Sequence, residues 1–174
     1  MPYLRGDPAK VAAWHTRLGE RKRPRIGLVW SGNPQQGNDR NRSFRLARLG
    51  EHLPREFDYF CLQKQIRPED EATLAANPWI ARYDEVGTLT GTAALCECLD
   101  LVISVCTSIA HLSGALGRPT WVMLPFNADW RWLIDRTDSP WYPTMTLYRQ
   151  QAIGNWSGVF ARVAADLRAR FSAR

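Results

Sequence analysis

The segment Cys106-Thr107-Ser108-Ile109-Ala110-His111 gathers a thiol, two hydroxyls and an imidazole at the start of one apolar stretch. Thr107 or Ser108 can cap a helix there, which leaves free backbone N–H groups and the positive dipole end for an anion, phosphate above all. His111 falls one helical turn later and can look back at the same place. A second group comes earlier in the chain. Ser31-Gly32-Asn33 follows an apolar run and carries no large side chain, and Asp39-Arg40-Asn41-Arg42-Ser43 then adds two guanidiniums. Arg forks match phosphate oxygens in pairs. Together these residues have the chemistry to hold a pyrophosphate between a helix N-terminus and an Arg-bearing loop.

Other chemistries fit less well. No GxGxxG follows the first apolar run and no GxxxxGK[ST] occurs, which argues against a dinucleotide reductase and a P-loop enzyme. A helix N-terminus lowers a thiol pKa, but no base is placed to support Cys106 as a nucleophile. The four Cys read as thiols, because Cys96-x-Cys98 sits in an apolar helical stretch with no second Cys/His pair at zinc spacing. No metal and no cofactor is expected. The plain alternative for His111 is a satisfied core residue.

These residues need elements to position them. Asp7-Pro8 starts a first helix, carried by Val11, Trp14 and Leu18. Arg25 to Trp30 has strand length, and a polar loop from Ser31 to Ser43 follows. Leu46 to Leu53 reads as a helix, Phe57 to Leu62 as a second strand, and Pro68 to Ala76 as a helix with Glu69, Asp70 and Glu71 in its first turn. Trp79 to Tyr83 is a short third strand. Thr92 caps a helix running to Leu99, and Asp100 to Val105 is a fourth strand. Ser108 to Leu116 is a helix closed by Gly117, Pro119 to Leu124 a fifth strand and Thr144 to Tyr148 a sixth. Trp156 to Phe171 is a final amphipathic helix. Alternating units with continuously apolar strands predict an α/β Rossmann-like, doubly wound parallel sheet of about six strands, with helices on both faces. Right-handed crossovers give the order 3-2-1-4-5-6. The loop after Trp30 and the turn after Val105 then face one crevice, where strand order reverses.

Composition sets the outer limits. The 174 residues, 45% of them hydrophobic, suit a single domain over 1–174 with a real core. The apolar run Leu99 to Val105 is broken by Asp100 and Ser104 and is too short to span a bilayer. The charged opening Met1 to Asp7 does not read as a signal peptide, and the expected compartment is the cytoplasm. Lys and Arg number 23 against 17 Asp and Glu, a net charge of +6. The basic bursts, such as Arg21 to Arg25, lack interleaved aromatic residues and any reading motif, so nucleic acid is not an expected partner.

The residues also resemble a family. Ile26 to Pro34 followed by Asn38 to Ser43, then Asp100 to Val105 with Thr107 to Leu112 and Gly114 to Pro119, are similar to the second domain of heptosyltransferase-like enzymes (glycosyltransferase family 9). Leu124-Pro125-Phe126, Asp129 to Trp132 and Asp138 to Pro143 resemble versions found at the end of bacterial proteins with tetratricopeptide repeats. The resemblance implies one half of a GT-B fold, the half that binds a nucleotide-diphosphate sugar. Carried over by position, Ser31, Gly32, Asn33 and Arg42 meet phosphate, and Gln63 sits near the ribose, where relatives often carry an acid. Gly87 and Thr88, with Val86, lie beside the base. Cys106, Thr107, Ser108 and His111 line the diphosphate and sugar. Relatives usually carry Asp where this chain has Cys106, and a thiol supplies neither its charge nor its two acceptor oxygens.

The implied partners are the donor, and an N-terminal acceptor domain or tetratricopeptide repeats of a longer parent chain from which this domain is cut. That missing half is also where the family's catalytic base is expected. The isolated domain is therefore expected to bind without turning over. The alternative is a non-catalytic nucleotide-binding or protein-docking module with a degenerate donor site. For Trp130-Arg131-Trp132, Trp141 and Tyr142, a packed corner is favoured over a sugar-stacking wall.

Overall fold

A computed structural model describes residues 2–172. It contains one six-stranded sheet in the order β3-β2-β1-β4-β5-β6. The strands are β1 Arg25–Val29, β2 Asp58–Cys61, β3 Ile80–Ala81, β4 Leu101–Val105, β5 Thr120–Leu124 and β6 Met145–Arg149. Every ladder between them is parallel. β1, β4 and β5 are buried along their whole length, as a sheet covered on both faces requires. This is the α/β Rossmann-like arrangement the sequence predicts, with strand order reversing between β1 and β4.

The two-residue period of the strands divides the core. Ile26, Leu28, Tyr59, Ile103 and Met123 face one way and pack on α3 (Leu46–Gly50), α4 (Pro68–Ala75) and α7 (Trp156–Phe171). Val29, Phe60 and Val102 face the other way, onto α1 (Pro8–Leu18), α5 (Leu89–Glu97) and α6 (Ser108–Ala115). The α7 stripe of Val159, Phe160, Val163 and Leu167 is buried as its spacing predicts. At the centre, Gly27 lies between Phe60 and Val102 in the ladders. A Cβ there would stand 2.6 Å from Leu62 Cδ1 and 2.8 Å from Leu99 Cδ1, so a glycine is what lets these side chains close over β1.

Some elements differ from the sequence reading. The helix before β4 begins earlier, with Thr88 as its N-cap accepting from the Gly91 N–H. Thr92 is not the cap. Its hydroxyl donates to the carbonyls of Val86 and Thr88 inside the first turn. The third strand shrinks to Ile80–Ala81, an edge with one partner. The polar loop after β1 is interrupted by a short helix, α2 (Asp39–Arg42).

Asp70, expected to serve only the dipole of α4, is instead buried. It accepts from the Trp30 indole N–H at 2.8 Å and from the Leu46 N–H at 2.9 Å, which pins the end of β1 to the start of α3.

Candidate functional site

At the carboxyl ends of β1, β2 and β4 lies a crevice of about 590 Å³. Ser31, Gly32 and Asn33 wall it from β1, Gln63 and Lys64 from β2, Val86 to Leu89 from the start of α5, and Thr107 to Ile109 from the start of α6. Loops leaving a parallel sheet on either side of a strand-order reversal must splay apart, and the cavity is the result. Two helix N-termini therefore converge on it. At α5 the Thr88 side chain satisfies one N–H. At α6 no side chain caps the first turn, because the Thr107 hydroxyl is engaged with Ser104 Oγ at 3.1 Å. The first-turn N–H groups of α6 are left to face the crevice.

The electrostatics have one sign. Among the described residues of the lining Lys64 is the single formally charged one, and no carboxylate is among them. Ser31 is 2% exposed and its Oγ has no hydrogen-bond partner among the described residues. A buried hydroxyl left unmatched is uncommon in a native fold.

Of the sequence-predicted residues, Ser31, Gly32, Asn33, Gln63, Gly87, Thr88, Thr107 and Ser108 line this one crevice. Arg42, Cys106 and His111 do not. The Arg42 guanidinium lies against Gly32, where an added Cβ would come within 2.6 Å of its Cζ. It donates to the Cys106 carbonyl at 2.6 Å and pairs with Asp39 at 3.4 Å, so it ties the β1 loop to the β4 turn. Asp39 is buried and also meets the Ser43 hydroxyl and the Arg67 guanidinium. Gln63 grips the end of β1 instead of presenting itself freely. Its Oε1 accepts from Trp30 and Ser31, and its Nε2 donates to the Ser31 carbonyl. The Cys106 thiol accepts from the Trp132 indole N–H at 3.1 Å.

His111 belongs to a neighbouring basin of about 400 Å³ with Tyr3, Trp130, Arg131, Trp141 and Tyr142. Its ring stacks on Trp132 and its Nδ1 meets the Tyr142 hydroxyl at 3.2 Å. Burial first, then the Arg131 cation, hold His111 below the ordinary imidazole range. The aromatic segment divides here. Trp132 is fully buried, whereas Trp130 and Trp141 are 68% and 55% exposed. The packed-corner expectation thus describes Trp132 and not the two outer rings.

The chain is similar to Protein FlbA of Caulobacter vibrioides (strain ATCC 19089 / CIP 103742 / CB 15). The two are 31% identical over 175 aligned positions, which cover 95% of this chain and 29% of FlbA. This chain therefore spans less than a third of that relative's length. No protein-family model matches it, and no solved structure does.

Sequence reasoning missed Lys64. The signal was available, since Lys64 directly follows the Leu62-Gln63 end of a predicted strand, and strand ends are where such sheets bind. Among the described residues no group of three or more His, Cys, Asp or Glu is placed to hold a metal, and no helix is long and apolar enough to cross a membrane.

Proposed function

We propose that this domain is the donor-binding half of a glycosyltransferase and that its crevice takes a nucleotide-diphosphate sugar. The observation that carries the reading is the convergence of two helix N-termini, Lys64 and the Ser31 hydroxyl, unmatched among the described residues, on one cavity. A diphosphate offers acceptor oxygens to all of these donors. In sugar transfer the departing nucleotide diphosphate gains negative charge, and the α6 N–H groups would stabilise it without reorganising. A base and an acceptor would come from elsewhere in a longer protein.

Calorimetric titration with ADP, GDP and UDP tests this. One nucleotide is expected to bind, and Lys64→Ala is expected to weaken it roughly fivefold, the upper end for a partly exposed charge pair. Failure of all three to bind would overturn the reading.

A second reading is a module whose donor site has degenerated and which serves for docking or nucleotide sensing. Two observations favour it. The residue at the β4 tip is a thiol committed to Trp132, and Gln63 is committed to the β1 backbone. Cys106→Asp discriminates: a gain in nucleotide affinity supports a decayed donor site, and no change supports the intact one.

A further inference from the structure

A second cavity, of about 190 Å³, is walled on one side by Arg40 and Asn41 of α2. Arg40 and Arg48 line it, together with Phe126 after β5, Gln150 after β6 and Trp156 at the start of α7. Three independent features point to one kind of ligand. Arg40 and Arg48 are exposed, and among the described residues neither guanidinium has an ion-pair or hydrogen-bond partner. Among the described residues no carboxylate lines the cavity.

The Gln150 carboxamide beneath it is 3% exposed, and its orientation is fixed. Its Oε1 accepts from the Phe126 N–H at 3.3 Å and the Gly154 N–H at 3.0 Å, which leaves Nε2 as a buried donor with no partner among the described residues. An unmatched buried donor is costly, and a native fold seldom keeps one without a use. The third feature is the N-terminus of the 16-residue α7, whose dipole adds positive potential at the same place.

We infer that this cavity binds a tetrahedral oxyanion, the phosphate of a monoester, between the Arg40 and Arg48 forks. Two guanidiniums supply paired donors to its oxygens. The volume exceeds that of a phosphate and admits the start of the ester group as well, with the rest of the ligand projecting past the exposed side chains of Phe126 and Ile153 on the rim. The inference stands apart from the donor crevice, since the two cavities share no lining residue.

The test follows amide and Arg side-chain NMR shifts of the labelled domain on adding inorganic phosphate and glycerol 3-phosphate. In parallel it measures flotation with phosphatidylcholine vesicles, with and without phosphatidic acid. Saturable shifts at Arg40, Arg48 and the Gln150 amide are expected. Arg40→Ala/Arg48→Ala should weaken binding at least tenfold while the protein keeps its melting temperature. Gln150→Glu, which still accepts from Phe126 and Gly154 but no longer donates, should weaken it as well.

Binding of the soluble monoester alone identifies a small metabolite, and flotation only with phosphatidic acid identifies a lipid headgroup. Either supports the inference if the double variant abolishes it. Binding that persists in the double variant overturns it, as does the absence of binding to every probe. UDP, GDP or ADP binding in the double variant reports on the crevice separately.

Discussion

Ser31 is where stability and binding should separate. Its Oγ is buried, with no partner among the described residues, in a crevice rich in donors. Removing an unmatched buried hydroxyl relieves a desolvation cost of about 1–3 kcal/mol, so Ser31→Ala should raise the melting temperature in calorimetry. The same change should lower nucleotide affinity by up to about tenfold, the worth of one hydrogen bond. A loss of both would mark Ser31 as ordinary packing. The thiols make a second residue-scale case. Burial pushes Cys61 up to about 11 and Cys96 up to about 12, and it also raises Cys98. Only a thiolate reacts readily. Iodoacetamide at pH 8, read by peptide mass spectrometry, should label Cys106 first and reach the other three only on unfolding. For His111 the folded pKa is depressed, so below about 6.5 the unfolded chain takes up the proton before the folded one does. Stability is therefore lost as pH falls from that value through the folded pKa. Thermal melts between pH 7 and 5 should show a steeper decline for the wild type than for His111→Gln.

At the scale of elements, Gly27→Ala would press a methyl group on Leu62 and Leu99 in the middle of β1. Overpacking of this kind costs about 1–3 kcal/mol, readable as a lower urea midpoint with an unchanged slope. Strands and long helices were legible because their signals are local and strong. The continuous apolar runs of β1, β4 and β5 and the stripe of α7 need no knowledge of neighbours. The start of α5 is not legible in the sequence, because Thr88 and Thr92 are equally good caps by residue type and the 3₁₀ turn Asp84–Gly87 that precedes the helix leaves no periodic signature. The helix α2 was hidden in a polar loop. It is held by the Asp39–Ser43 hydrogen bond, four residues apart, and by the Asp39–Arg67 ion pair, a contact made across the sequence that no window can read.

For the whole molecule, strand order followed from alternation and handedness, and with it the place of the crevice. What the sequence could not show was which way each guanidinium turns. Arg40 and Arg42 are two residues apart, yet Arg42 goes inward to the Cys106 carbonyl while Arg40 lines the second cavity. One short helix is thus a party wall. Its Arg42 backs Gly32, a wall of the crevice, and its Arg40 and Asn41 form a wall of the other cavity. Occupancy on one side that shifts this wall must be felt on the other, and thermodynamic reciprocity makes the effect equal in both directions. If phosphate alters the dissociation constant of a nucleotide by some factor, the nucleotide will alter that of phosphate by the same factor, whichever is added first.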